Sequence, residues 1–324
     1  MGPTGATGPS GLTGPSGPLA FLGTGDTDAN GADDIIYTTG GHAAVWLNSV
    51  SAFTQAFVPK AVMGAEWTPV GLGDFNGDTR ADVLWENNAG QAAIWELNGA
   101  ASIGVGVSTG LMGSEWHVAA TGDFNGDGKS DIFWESTSGL GAVWTMDGPE
   151  VTAAALVVNT AGSGGGLSQM GSEWQIIGAG DFDGDGKADV AWESSAGFVT
   201  IWGMNGSNMP ALYYNIGQMG PGWHAVGSGN FNGDATADLV WTDPNNDVQI
   251  WYMQHGQISQ VVTPELHQDP GWQLKAVGDF TNGGAKEDLL WLKPDGTAQV
   301  WHVTGTQVTV TQPTSPGGDI LLGL

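Results

Sequence analysis

A chain of 324 residues is long enough to bury a sizeable core in one large domain or two ordinary ones. Its formal net charge of -27, with 34 Asp and Glu against 7 Lys and Arg, leaves no basic surface for nucleic acid or anionic lipid, while 40% hydrophobic residues separate it from disordered acidic tails. The lack of Cys removes disulfides, thiol catalysis and thiolate metal sites, and no apolar run reaches the length needed for membrane insertion.

Residues 1–18 place Gly at 2, 5, 8, 11, 14 and 17, the period a collagen triple helix needs at its crowded axis. A Pro/Gly/Ser linker has a similar composition, but unbroken registry favours a collagen-like stalk and, through it, a homotrimer. No charged-then-apolar leader follows Met1, so export would need a route other than a cleavable signal.

From residue 19 onward the chain repeats itself. An acidic loop starts at Asp26, Asp74, Asp123, Asp181, Asn230 and Asp279, at spacings of 48, 49, 58, 49 and 49 residues, which makes a six-unit array. The longest unit carries a Gly-rich insertion, residues 161–169, which reads as a surface loop. Each unit holds four short apolar or alternating runs bounded by Gly, Asn and Asp, with no helical period over ten residues. In the third unit the strands are expected at WHVAATGDF, DIFWE, GAVWTM and TAAALVV. Four-stranded antiparallel sheets repeated at this period pack radially, so residues 19–324 are expected to form one all-β β-propeller of about six blades. A linear stack or two three-sheet domains is the alternative. PLAFLGTGD and GGDILLGL both match the first strand of a unit, so one is expected to close the last sheet while the other frays or pairs with another chain. DILLGL also reads as an uncleaved C-terminal secretion signal.

Three Trp recur per unit, as Trp116, Trp134 and Trp144 in the third, and Tyr37 takes one slot in the first. Such recurrence marks most of them as wedge fillers between sheets. Trp67, Trp116, Trp174, Trp223 and Trp272, preceded by Glu or Gly near the start of a first strand, are expected to be partly exposed and are the candidate ligand platforms.

In DFNGDGKSD the side chains of Asp123, Asn125, Asp127 and Asp131 stand at positions one, three, five and nine, and Gly126 and Gly128 permit a tight turn. Calcium takes six to eight oxygens in a flexible shell; the carbonyl of Lys129 adds one and Asp131 closes the shell. The same pattern holds Asp26, Asp28, Asn30 and Asp34; Asp74, Asn76, Asp78 and Asp82; and Asp181, Asp183, Asp185 and Asp189. Asn230, Asn232, Asp234 and Asp238 offer two carboxylates and should bind more weakly. The sixth loop is one residue longer, keeps Asp279 and Asp288, and is expected to be empty or weak. Half of the 34 acidic residues stand at the ligand positions of these loops, so the metal-free protein should be destabilised by its own clustered charge.

GDFNGDGKSDIFWE and AGDFDGDGKADVAWESSAGFVTIWGMNG resemble the FG-GAP/VCBS repeat family, whose calcium-bearing blades also build the propellers of integrin alpha chains. The resemblance is strong in the units starting at Asp74, Asp123 and Asp181, weaker at Asn230 and degenerate at Asp26 and Asp279. It implies cation loops between the first and second strands, with the matching positions as ligands together with the seventh-position carbonyls of Ala32, Arg80, Lys129, Lys187 and Thr236. Members are mostly extracellular adhesion or carbohydrate-binding proteins, with some polysaccharide lyases. Seven or eight blades are usual there, against the six units counted here.

No constellation for catalysis stands out. GVSTG matches a nucleophile pattern but lies in an expected outer strand with no helix after it. The six His lack metal-ligand spacing and read as surface or blade-edge residues. Glu86, Glu135 and Glu193, and Glu66, Glu115 and Glu173, recur by unit, whereas an active site breaks a repeat's symmetry. The chain is therefore read as a non-enzymatic, calcium-stabilised recognition or adhesion module, extracellular or at the cell surface. Its expected ligand is a glycan, bound in a lectin-like manner. A propeller-fold polysaccharide lyase and a self-assembling surface or fibre component are the alternatives.

Overall fold

The computed structural model describes residues 20–39, 42–57, 63–108, 110–160, 166–281 and 286–313; the collagen-like stretch and DILLGL lie outside them. All regular structure among the described residues is β, in 26 strands. In the third unit the strands run Trp116–Gly122, Asp131–Ser136, Gly141–Asp147 and Glu150–Leu156, paired in chain order as an antiparallel meander. Burial follows position. Second and third strands such as DIFWES and GAVWTMD are buried along most of their length because a neighbouring sheet covers each face, while the fourth strand lies at the edge and is mostly exposed.

Each blade pairs an aromatic of its second strand with one of its third. The ring centroids lie 4.6 Å apart for Trp85 and Trp95, 4.8 Å for Trp134 and Trp144, and 5.0 Å for Tyr37 and Trp46. These pairs anchor six hydrophobic clusters, one at each junction between consecutive sheets. The cluster of Ile35, Tyr37 and Trp46 with Phe280, Leu290 and Val300 joins the last sheet to the first. First strands touch in an unbroken cycle, so the array closes as a β-propeller rather than a linear stack.

Two expectations need correction. Four-stranded sheets form in five units only; the sheet of the fourth unit has six strands. Val158–Asn159 pairs in parallel with the outer strand Asn208–Gln218, and Gly166–Leu167 pairs antiparallel with Val158–Asn159. The Gly-rich insertion is thus in part a sheet edge, and residues 161–165 of it lie outside the described residues. Among the described residues ring closure also uses no exchanged strand, while GGDILLGL lies outside them. Ala20–Gly25 starts the first sheet, and the last sheet is completed by its own Gln307–Thr311.

Closure rests instead on backbone hydrogen bonds between acidic loops. The position-eight N–H of each loop donates to the position-one carbonyl of the preceding blade's loop: Ala81 to Asp26 at 2.8 Å, Ser130 to Asp74 at 2.6 Å, Ala188 to Asp123 at 2.7 Å, Ala237 to Asp181 at 2.7 Å and Glu287 to Asn230 at 2.9 Å. Asp33 donates to Asp279 at 2.6 Å and completes the circle. This approach requires glycine at the end of the first strand, because a Cβ on Gly180 would lie 2.6 Å from the Cβ of Ala237. Gly180→Ala should therefore destabilise the protein by about 1–3 kcal/mol through overpacking, measured as a lower urea midpoint; an unchanged midpoint would contradict so tight a junction.

Candidate metal loops and blade-junction grooves

The acidic loops are nests of aspartate and asparagine turns. Asp123 accepts from the N–H groups of Gly126 at 2.6 Å, Asp127 at 3.1 Å and Gly128 at 2.8 Å. Asn125 accepts from Asp127 N–H at 2.8 Å, and Asp127 from Lys129 N–H at 3.0 Å. Asp74, Asn76 and Asp78 repeat this pattern onto Gly77, Thr79 and Arg80, and Asp181, Asp183 and Asp185 repeat it onto Gly184, Gly186 and Lys187. The first loop uses Asp26, Asp28 and Asn30, the last accepting from Ala32 N–H at 2.8 Å, and the fifth uses Asn230, Asn232 and Asp234, which accepts from Thr236 N–H at 3.0 Å. Each turn aligns side-chain oxygens along one edge of the loop.

Position nine does more than the spacing suggests. Asp34, Asp82, Asp131, Asp189 and Asp238 are fully buried. In Asp131 one oxygen accepts from Phe124 N–H at 3.1 Å and the other from Met146 N–H, on the third strand, at 2.9 Å. Asp82 bridges Phe75 and Leu97, Asp189 bridges Phe182 and Met204, and Asp238 bridges Phe231 and Met253 in the same way. Asp34 takes the N–H groups of Thr27 and Asn48, and the Thr27 hydroxyl as well. This carboxylate ties the loop to the third strand. Burial, with charge from other loop acids added, pushes Asp34 up to about 6, Asp82, Asp131 and Asp238 up to about 7 and Asp189 up to about 8.

Two loops bring three carboxylates together. Asp26, Asp28 and Asp34, and likewise Asp181, Asp183 and Asp189, each place one oxygen within 4.8 Å of the other two. Such a hard-oxygen set suits a divalent cation, and burial followed by neighbouring negative charge raises Asp28 and Asp183 above the ordinary carboxylate range. The second and third loops have Asn76 and Asn125 at position three, with Asp74 and Asp78 facing Asp82 and Asp123 and Asp127 facing Asp131. Arg80 pairs with Asp78 at 3.3 Å and Lys187 with Asp185 at 3.3 Å, while Lys129 reaches Asp147 at 2.6 Å. In the longer sixth loop, residues 282–285 lie outside the described residues, and Asp288 receives His302 Nδ1 at 2.6 Å. His302 is therefore a loop anchor rather than a blade-edge residue, and no spacing in the chain pointed to it.

Positions four and six are left-handed in these loops. Gly126 and Gly128 have φ of 80° and 85°, and Gly184 and Gly186 have 85° and 84°. Ala29, Thr79 and Ala235 hold the same region without being glycine, at 59°, 70° and 72°.

The opposite ends of the strands form a second face. Starts of first strands meet the turns between second and third strands of the preceding blade, leaving grooves at three junctions. Thr68, Glu86 and Asn88 face Trp116 and His117 around a volume of 390 Å³. Glu193, Ser195 and Gln175 face Trp223 and His224 around 640 Å³. Asp243 and Asn246 face Gln273 and Lys275 around 300 Å³. Trp116 and Trp223 thus stand where a ligand platform was expected, half-buried against their blades. Trp174 is half-buried in a different pocket, beside the inserted strands. Trp67 is half-buried against the cluster of the first junction, and Trp272 is buried at 8% exposure with Lys293 Nζ 4.7 Å from its ring centroid, which corrects the expectation of partial exposure there. Glu86 accepts from Val118 N–H of the next blade at 3.0 Å, so it is a junction strut as well as a groove wall. Ser108 of GVSTG is buried and donates to Gly110 O at 3.4 Å, a turn contact.

A family model described as FG-GAP-like repeat matches residues 26–85, 74–134 and 123–192. No curated protein matches this chain in sequence. Among solved structures, a lectin from Agrocybe aegerita, described as specifically recognising non-reducing terminal N-acetylglucosamine, has a TM-score of 0.57 at 16% identity, covering 92% of this chain and 81% of that one. The C-terminal WD40 domain of Sif2 has a TM-score of 0.48 at 10% identity over 92% of this chain and 86% of that one, and the WD40 domain of Toxoplasma gondii coronin 0.42 at 11% over 91% and 69%. The lectin likeness is one of fold. No helix of the described residues is long and apolar enough to cross a membrane.

Two outcomes follow from the loop geometry. Ala235→Gly should stabilise the protein by about 1 kcal/mol by relieving a left-handed alanine, read as a higher urea midpoint. In chelator, the raised folded-state pKa values mean that ionising the position-nine acids opposes folding. Their contribution is fully present below about pH 4 and is lost as pH rises through 6 to 8. The chelated protein should melt at progressively lower temperature between pH 5 and pH 8; a constant or rising melting temperature would contradict the burial of these acids in their charged form.

Proposed function

The chain belongs to the FG-GAP-like repeat family, and on that premise we propose that it is a calcium-stabilised, non-enzymatic propeller that recognises glycans outside the cell. The observation that carries this reading is the set of grooves at the blade junctions, opposite the acidic loops. Each presents amide, hydroxyl or carboxylate groups, and two of them add a half-buried Trp and a His. A sugar ring stacks its C–H face on an aromatic and shares its hydroxyls among such groups. A lectin with a similar fold supports the reading. Shallow sites of this kind bind weakly one at a time, and a homotrimer through residues 1–18 would join them by avidity.

Calcium fits the loops by the chemistry of their donors, all of them oxygen. Asp26, Asp28 and Asp34 would hold one ion and Asp181, Asp183 and Asp189 another, with carbonyls at Ala32 and Lys187. The second, third and fifth loops would add Asp74, Asp78 and Asp82, Asp123, Asp127 and Asp131, and Asp234 and Asp238, with carbonyls at Arg80, Lys129 and Thr236. An ion there neutralises clustered charge and stiffens the loops that link blade to blade. A lyase on this fold is disfavoured because of the 7 basic residues Arg80, Lys129 and Lys187 stand in the acidic loops, and Lys275 is the one that lines a groove described above.

Calcium at millimolar concentration should raise the melting temperature by several degrees, and Asp181→Asn with Asp183→Asn should remove part of that rise. The rise should be larger at pH 8 than at pH 5, since protons compete for the same oxygens. No shift with calcium at either pH would overturn the metal reading. Calcium-loaded protein should bind a subset of an arrayed glycan library; silence across the array, for monomer and trimer alike, would overturn the recognition reading.

A further inference from the structure

We infer that the pocket beside the inserted strands of the fourth blade binds one uncharged sugar ring bearing an apolar substituent such as an acetamido or methyl group. This rests on the glycan reading above and deepens it, because the pocket is made by a segment the other junctions lack. The connection from the third blade to the fourth is stitched to both. Val158 N–H donates to Ser207 O and Thr160 N–H to Met209 O, each at 2.9 Å, on the fourth blade; Met170 N–H donates to Gly139 O at 2.9 Å and Gln169 Nε2 to Ser138 O at 2.5 Å on the third. The pocket is therefore preformed, which spares a ligand the entropy of ordering its walls.

Its size and lining select the ligand. The volume of 260 Å³ lies below the range of roughly 300–1,000 Å³ typical of drug-sized ligands, so it admits a single ring and not a chain. Trp202 and Met209, each 2% exposed, lie deep, while Leu167 and Leu212, at 55% and 41%, form an open apolar rim. No Asp, Glu, Lys, Arg or His is among its lining residues. In a chain of net charge -27 an anion is repelled, and a cation finds no carboxylate to pair with, so a neutral ligand fits this lining best. Trp174, half-buried, offers aromatic surface to a sugar's C–H face and to a methyl group, while Trp202 closes the floor beneath it.

The polar groups are few. Ser168 is 5% exposed, and its hydroxyl is buried behind the pocket wall rather than offered to a ligand. Thr200, fully buried, accepts from Asn215 N–H at 3.3 Å and braces the wall from behind. Gln169 spends its amide N–H on Ser138 and keeps its carbonyl oxygen, a partner for an acetamido N–H.

The test is isothermal titration, with ligand-observed NMR, of methyl glycosides into the calcium-loaded full chain. Acetamido and 6-deoxy sugars should bind at least tenfold more tightly than the plain hexose, and a hexuronic acid should not bind. Leu212→Arg should weaken binding at least tenfold, while Leu212→Met, and Val261→Arg at another exposed position, on the next blade, keep wild-type affinity with unchanged melting. Equal binding by wild type and L212R would place the sugar in the junction grooves and overturn the pocket while leaving the glycan reading intact. A uronate preference would overturn the neutral-ligand argument. Failure of every glycoside, with a positive glycan array, would overturn the pocket alone; failure of both would overturn the two readings together.

Discussion

A single backbone hydrogen bond, made once per junction, organises this protein. Position eight of each acidic loop donates to the carbonyl at position one of the loop before it, and six such bonds form a circle. The carbonyl belongs to the residue whose side chain collects the turn N–H groups, so the shape of one loop is felt at the next junction. Position nine then passes the constraint to the third strand through its buried carboxylate. Loop, blade and ring are coupled by short polar contacts in which each donor and acceptor is named. The tryptophan clusters supply the bulk of the burial, but they do not set the register; wedge-filling rings tolerate sliding that a 2.7 Å hydrogen bond does not.

That coupling explains why acids are tolerated where they cost so much. A buried aspartate with a strongly raised pKa opposes folding at neutral pH, yet it satisfies two N–H groups that would otherwise be orphaned between strands. The seam between the last blade and the first is the extreme case. Position eight is small in the middle units, as Ala81, Ser130, Ala188 and Ala237, but is Asp33 and Glu287 at the two ends of the array. Burial raises both of these acids, with repulsion from Glu287 and Asp279 added at Asp33, and from Asp279 and Asp288 at Glu287, which is pushed up to about 7.

Much of the fold was legible. Loop spacing marked the units, and strands such as Trp116–Gly122 lie within two residues of the runs that announced them. What escaped was of two kinds. The position-eight bond was hidden because it joins two loops about 50 residues apart, although the recurring small residue at position eight and the Gly before position one were visible signs of a close approach. The strand pair Val158–Asn159 and Gly166–Leu167 was illegible because two residues carry no period, and a Gly-rich run reads as loop however its ends are bonded. At the sites, alternate oxygens pointed to cation loops. The buried, bridging role of position nine did not show, since an aspartate that ligates and one that braces are written with the same letter.

Each blade is a contiguous piece of chain, and among the described residues no strand is lent across the seam. In topological terms every connection between blades is equivalent, so the order in which the blades are read along the chain is a convention rather than a requirement of the ring. Such an architecture can gain or lose a whole unit by duplication without rethreading a sheet, and it can be cut and rejoined at a different connection while keeping its circle of loop contacts. The blade with the extra strands is bound to its predecessor by added strand pairing as well as the shared pattern, which gives an otherwise similar array a fixed point of reference.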